Sequence, residues 1–347
     1  MRVVELAGRL PARLTLADVG VRWGFEPRWT ALASAARLIG FDAEEEECRA
    51  LAKRHAHLPD VMFAPVALSD RAGPQTLHIT HAPAASSLLE PDPAVLKRRR
   101  GLKAMRLVRS VPIETETLEA WAQRSGVGRL DVLKLDVQGA ELAVMRGAGA
   151  LLDGVRALDL EVEFNPIYRD QPLFSDIDAF LRERGFVLWR FGELTHCRLP
   201  ESTGGARVDT IRFGDGMLRF RAGSGQVTWG RAWYVRADMA DPVGPRTFET
   251  EVRDACAAWS LQLDDVAQAV LTRAAALDPA AGPALAELSR VRRPRALWRH
   301  DLPGAARRWL RVQSLALRGW DDERIARESG MTARNVQQLR RLGPGRF

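Results

Sequence analysis

The chain's 347 residues, 46% hydrophobic and 27% charged, are enough to bury a core without staples and exclude a disordered or collagen-like polypeptide. Cys48, Cys197 and Cys256, odd in number and far apart, exclude a disulfide framework and a cysteine-built zinc site. The net charge of +7 is unevenly placed: 18 arginines stand against 12 acids from Arg246 onward, and the segment from Lys97 to Arg109 holds seven cations and no acid.

Short apolar and β-branched runs alternate with helical patterns through the first two-thirds, as in an α/β domain with a largely parallel sheet. Strands are predicted at Leu14–Val19, Leu38–Phe41, Val61–Val66, Val132–Leu135, Ala157–Glu163 and Phe186–Arg190. Helices are predicted between them at Glu44–His55, Leu118–Arg124, Ala140–Leu151 and Ser175–Arg184. Gln75–Thr80 alternates like an added hairpin strand after the turn Asp70-Arg71-Ala72-Gly73, and Thr228–Arg236 reads as a late antiparallel strand that closes the sheet. Asp241-Pro242-Val243-Gly244-Pro245 is then a linker between residues 1–240 and a helical region at 246–347, which Pro279, Pro283, Pro294 and Pro303 break into short helices. Within it, residues 320–342 have helix-turn-helix spacing, with Ala326, Gly330 and Val336 at the packing and turn positions. That end reads as a docking or homo-oligomerisation module, with nucleic acid, met by Arg334, Asn335, Gln337, Arg340 and Arg341, as the rival partner. No run of about 18 apolar residues occurs, and Glu5, Arg9, Arg13 and Asp18 interrupt the beginning of the chain. A cytoplasmic protein without a membrane span is expected.

Three constellations carry the chemistry. Asp18-Val19-Gly20-Val21-Arg22-Trp23-Gly24 ends the first strand in a glycine turn, where backbone can approach a ligand at the carboxyl edge of the sheet. Asp42 ends the second strand, where an acid can accept both hydroxyls of a ribose or, alternatively, cap the helix that follows. Asp131-Val132-Leu133-Lys134-Leu135-Asp136-Val137-Gln138-Gly139-Ala140-Glu141 places Asp136 over the same edge as Asp18.

The run from Lys134 to Glu141, with Leu142, Met145, Arg146 and Gly147, closely resembles the FkbM family of S-adenosylmethionine-dependent methyltransferases, whose strand reads K-(I/L)-D-x-(E/Q)-G-x-E. Other stretches follow in the family's order: the Asp18 turn, Phe41-Asp42, Ala67-Leu68-Ser69-Asp70, Ser86-Ser87-Leu88-Leu89, Glu161-Val162-Glu163-Phe164 and Ala232-Trp233-Tyr234-Val235-Arg236. The resemblance spans roughly residues 1–240. It implies a Rossmann-like class I methyltransferase sheet, mostly parallel with an antiparallel closing strand, to which the sequence adds a small all-α C-terminal appendage. It departs from the family in Asp42-Ala43, where Glu-Pro is usual, and in Arg22 and Trp23, where smaller residues are usual and which are expected to crowd the methionine end of the pocket.

The implied cofactor is S-adenosyl-L-methionine, with no metal required. By resemblance, Asp18, Gly20 and Gly24 line its methionine side, Asp42 its ribose, and Ser69 with Asp70 its adenine edge. Asp136 lies where an acceptor hydroxyl would arrive and is the first candidate to take its proton, with Glu141 and Glu161 behind it. One of Glu161 and Glu163 is expected to face the site, the latter toward substrate, and Lys134 and Glu141 are alternatively a structural ion pair. Ser86 and Ser87 are expected to hold substrate. Arg98 and Arg99, within the cationic cluster, are read as a lid that attracts an anionic acceptor. His78 and His81 are additional candidate bases. The implied acceptor is a small molecule or saccharide hydroxyl. Two rivals stay open, a nucleic-acid-associated protein and a methyltransferase-like fold that does not catalyse; the presence of Asp18, Gly20, Asp42 and Asp136 together favours the enzyme.

Overall fold

The computed structural model describes residues 3–99, 101–201, 208–213, 216–221, 225–290 and 323. The helix-turn-helix-like segment at 320–342 therefore falls outside the described residues except for Glu323. Strands run as β1 (Leu14–Val19), β2 (Ala36–Phe41), β3 (Val61–Ala64), β4 (Ala67–Leu68), β5 (Gly73–Thr80), β6 (Leu107–Glu116), β7 (Val132–Leu135), β8 (Ala157–Glu163), β9 (Phe186–Cys197), β10 (Val208–Phe213), β11 (Gly216–Arg221) and β12 (Gln226–Arg236). The main sheet has the order β3-β2-β1-β7-β8-β12-β9, with β12 antiparallel to both neighbours and the other described pairs parallel. This is the mostly parallel sheet with an antiparallel closing strand that the sequence implied. Beside it, β4, β6 and β5 form a three-stranded sheet, and β10 and β11 pair with each other.

Helices are α1 (Val3–Ala7), α2 (Pro27–Leu32), α3 (Glu45–Arg54), α4 (Pro93–Arg98), α5 (Leu118–Arg124), α6 (Glu141–Gly147), α7 (Leu151–Gly154), α8 (Phe174–Glu183), α9 (Ala237–Ala240), α10 (Phe248–Ser260), α11 (Asp264–Leu277) and α12 (Gly282–Arg290). The period of two along each strand divides the core into two layers. Ala17 and Val19 of β1 join Ile39, Leu133, Leu135, Leu158 and Leu160 under α5, α6 and α8, with Trp121, Met145 and Leu181. Leu14 and Leu16 face the other way, into a core with Leu6, Trp29 and Leu32.

That second core is completed by the helices after the 241–245 segment. Val252, Ala255 and Cys256 of α10 and Val266, Val270 and Leu271 of α11 are buried in it. Change of element type and change of packing unit thus fall at different places: strands give way to helices after Arg236, whereas the compact unit runs to Ser289. Charged contacts fasten the same layer. Arg156 binds Asp254 at 2.6 and 2.9 Å and Asp238 at 2.6 Å, and Arg253 reaches both oxygens of buried Asp131 at 3.1 and 3.2 Å.

Among the described residues no helix is long and apolar enough to cross a membrane, and no group of three or more His, Cys, Asp or Glu side chains is arranged to hold a metal ion. The cysteines are all buried and free.

Candidate active site

The carboxyl ends of β1, β2 and β7 border a cleft of about 570 Å³, walled on one side by the β5–β6 hairpin. Its floor depends on a glycine. Gly20 has φ +88°, and a Cβ there would lie 2.0 Å from the Asp136 carbonyl oxygen, so only glycine lets the ends of β1 and β7 come this close. The turn is pinned by Gly20 and Val21 N–H groups that both donate to the Phe41 carbonyl, at 2.9 and 3.1 Å.

Asp42 lines the cleft at the end of β2. Its Oδ1 accepts the Glu44 N–H at 2.8 Å, so it shapes the entry to α3 while its carboxylate borders the cavity, and burial holds its pKa above the ordinary value. Arg22, expected to crowd the pocket, instead pairs with Glu44 at 2.9 Å. Trp23 stands at the rim, 80% exposed, rather than filling the interior. The hairpin wall is apolar because alternate residues of β5 and β6, Leu77, Ile79, Val111 and Ile113, share one face in register.

Asp136, exposed and lining the cleft, sits one residue beyond β7, and a group of buried acids stands behind it. Glu141, the first residue of α6, takes the Val137 and Gly139 N–H groups on its two oxygens at 2.8 and 2.9 Å and so clamps the loop between them. Burial pushes its pKa up to about 7 against those bonds. Glu161 and Glu163 are each held well above the usual carboxylate range by burial first and by their acidic neighbours second. Two residues apart on β8 they share a face, so the expectation that alternation turns only one of them toward the site is corrected, and neither side chain is part of the cleft lining.

The loop's centre is Gln138, a non-glycine residue at φ +58°. That backbone state costs about 1–2 kcal/mol and is held by specific bonds. Its Nε2 donates to Asp136 at 2.9 Å and to Glu161 at 2.5 Å, and its backbone carbonyl accepts the Ser87 hydroxyl at 2.8 Å. Its Oε1 also receives the Tyr168 hydroxyl at 3.4 Å. Gly139 follows at φ +97°, where a Cβ would fall 2.6 Å from Gln171 Nε2. Gln138 and Tyr168 were not among the expected site residues. The Q position of the motif was the signal for the first; nothing local marks the second.

Several expected residues stand elsewhere. Asp18 is fully buried, and Lys134 Nζ donates to both of its oxygens at 2.9 and 3.0 Å, beside Asp159 and Arg231 in the next strands. The carboxylate is a sheet-spanning structural partner, pushed up to about 6 by burial, and of the three residues expected at the methionine side, Asp18, Gly20 and Gly24, only Gly20 lines the cavity. Lys134 thereby pairs with Asp18, not with Glu141. Gly24, at φ +84°, packs against His55 outside the cleft lining. Ser69 is buried and bonded to Gln75 at 2.9 Å, and Asp70 faces Arg71, so the Ala67-Leu68 pair before them borders the cavity instead. Ser86 and Ser87 do line it. Arg98 ends α4 and Arg99 binds Gln226 at 2.9 Å, both away from the lining; of the described cations between Lys97 and Arg109, Arg109 alone borders the cleft. His78 faces Ser110 at 3.0 Å on the hairpin's opposite face, and the His81 side chain is not part of the lining either.

Residues 17–188 match the model described as the methyltransferase FkbM domain. The chain carries an FkbM methyltransferase domain. The FkbM domain contains every cleft residue from Gly20 to Gln138 and the acids of β8, whereas β12 and the helices after it lie beyond it. A curated relative, the 2-O-methyltransferase NoeI of Sinorhizobium fredii, is 24% identical over 168 residues, covering 47% of this chain and 69% of that protein. Among solved structures, the magnesium protoporphyrin IX methyltransferase of Synechocystis PCC 6803 aligns at 17% identity and a TM-score of 0.31, over 67% of this chain and 76% of that one. An rRNA methylase from Streptococcus thermophilus aligns at 10% identity and a TM-score of 0.29, over 67% and 93%.

Proposed function

We propose that the FkbM domain transfers a methyl group from S-adenosyl-L-methionine to a hydroxyl of a sugar, glycan or other small polar acceptor. The observation that carries the reading is the convergence of Asp42, Gly20 and Asp136 on one cleft whose hairpin wall is apolar. Those groups suit an adenosyl ligand: a carboxylate for ribose hydroxyls, an apolar slot by Ala67 and Leu68 for a flat base, and close backbone at Gly20 for the amino-acid end. When bound, S-adenosylmethionine supplies an electrophilic methyl carbon on a sulfonium.

The chain's own task is to align an acceptor oxygen about 3 Å from that carbon and to receive its proton. Asp136 is our candidate for both, being the exposed acid of the loop that ends β7 at the cleft. Gln138 fixes its carboxylate, and the same Nε2 donates to Glu161, which holds the amide in place. Glu141 keeps the loop in place. The relative's 2-O-methyltransferase activity supports oxygen as the accepting atom.

Calorimetric titration with S-adenosylmethionine tests this directly. The native chain is expected to bind with a Kd on the order of micromolar, Asp42→Ala to lose at least about tenfold, and NAD to give no heat. Absence of S-adenosylmethionine binding by the native chain would overturn the reading.

A further inference from the structure

Trp23 is the most open large side chain on the cleft, 80% exposed, yet the loop that bears it is firmly held. Val21 before it is buried, the Gly24 N–H returns to the Val21 carbonyl at 2.7 Å, and Phe25 after it stacks on Trp29 and Phe63. A rigid turn thus presents an indole to water at the mouth of a cavity, and among the described residues no ring or guanidinium covers it. An indole held open at a cavity mouth offers a flat apolar face to a ligand, and tryptophan and arginine are both enriched at binding hot spots.

The arginine is present. Arg109 lies across from Ile79 on the hairpin face that walls the cleft, exposed, its guanidinium without a hydrogen bond or ion pair to any described residue. Arg22, the other cleft cation, is already taken by Glu44. The β7 end of the cavity carries the opposite sign, because the exposed carboxylate of Asp136 stands there. A ligand with a negative group is repelled from that end and held at Arg109, which leaves its uncharged hydroxyls to point inward.

We propose that Trp23 and Arg109 form the acceptor subsite, and that the acceptor is an anionic glycoside. The C–H face of a pyranose ring covers the indole, a carboxylate or phosphate group on the glycoside accepts the paired N–H donors of the guanidinium, and a ring hydroxyl reaches Asp136. This rests on the methyltransferase reading and adds its substrate class. The chemistry balances: the acceptor O–H oxygen bonds to the methyl carbon, the carbon–sulfur bond breaks, the proton passes to Asp136, and a methyl ether and the neutral thioether leave.

The test uses the full chain, methyl-labelled S-adenosylmethionine, and four probes sharing one hydroxyl pattern: methyl glucoside, methyl glucuronide, glucose 6-phosphate and UDP-glucose. Label transfer and saturation-transfer NMR binding are read on the native chain and on Trp23→Ala, Trp23→Phe, Arg109→Gln and Arg109→Lys. At least one anionic probe is expected to exceed the neutral one about tenfold in kcat/KM. Arg109→Gln should erase that preference while Arg109→Lys keeps part of it, and Trp23→Ala should raise KM for every saccharide about tenfold, with Trp23→Phe restoring most of it. Which anionic probe is preferred separates a sugar nucleotide from an acidic monosaccharide. Equal use of the neutral probe, or an unchanged preference in Arg109→Gln, overturns the subsite. If S-adenosylmethionine binds but no anionic probe binds or is methylated, this inference alone falls. If S-adenosylmethionine itself does not bind, the methyltransferase reading falls with it.

Discussion

Glu163 is nearly inaccessible, and its Oε2 has no hydrogen-bond partner. Burial, and after it the charges of Glu141, Glu161 and Asp136, hold its pKa well above the ordinary 4.5. Between 4.5 and that raised value the folded chain keeps a proton that the unfolded chain gives up. Its stabilising contribution is therefore complete below about pH 4.5 and is lost as the pH rises. Glu163→Gln removes the titration while keeping the shape. Thermal unfolding followed by circular dichroism should show equal midpoints at pH 4.5 and a variant at least about 3 °C more stable at pH 8. Parallel profiles would contradict the assignment. At this scale, Asp42 and Asp136 were legible because each is an acid at the carboxyl end of an apolar strand. Asp18 has the same local signature, and only a lysine 116 residues away, in register on β7, makes it structural. Gln138 and Tyr168 meet across 30 residues, a distance over which sequence spacing carries no information about contact.

Among the elements, β1, β7 and β8 coincide with their predicted limits because their apolar runs are buried on both faces and bounded by turn residues. β6 was not predicted: its first three residues fall in the Lys97–Arg109 cluster read as a lid, and Arg109 and Pro112 interrupt its apolar character. Proline is tolerated there because β4 pairs only with Thr115 and Glu116, leaving Pro112 with β5 on one side alone. The predicted helix at 140–151 divides into α6 and α7 around Gly149, whose φ is +52°. For α10 the decisive residue is Arg253, which ties Asp131 and the Ala12 carbonyl to the helix. Arg253→Met leaves the buried Asp131 carboxylate with Thr15 N–H and Arg129 as its remaining donors. A loss of about 3 kcal/mol is expected in urea unfolding, and a loss under about 1 kcal/mol would show that α10 is held by its apolar face alone.

For the molecule as a whole, residues 17–188 match the FkbM model, but the packing that supports them extends to α12. Sequence composition put the break at 241–245, whereas the strands already give way to helices after Arg236, and it could not show that the apolar faces of the later helices close the layer over Leu14, Leu16 and Trp29. A chain ending at Ala240 keeps every strand of the sheet yet uncovers that layer. It is expected to bind ANS and to lose near-ultraviolet dichroism while keeping its far-ultraviolet signal. Cooperative unfolding at the native midpoint would instead make α10–α12 dispensable.

The late position of those helices also bears on how the protein is made. The cleft residues all leave the ribosome within the first half of translation, but Leu271, Ala281 and Leu285, which seal the core beneath β1, arrive about a hundred residues after the FkbM segment is finished. At 5–20 residues per second, the nascent chain spends roughly 5–20 s with every cleft side chain synthesised and an open apolar flank. During that interval the uncovered apolar flank is exposed to aggregation.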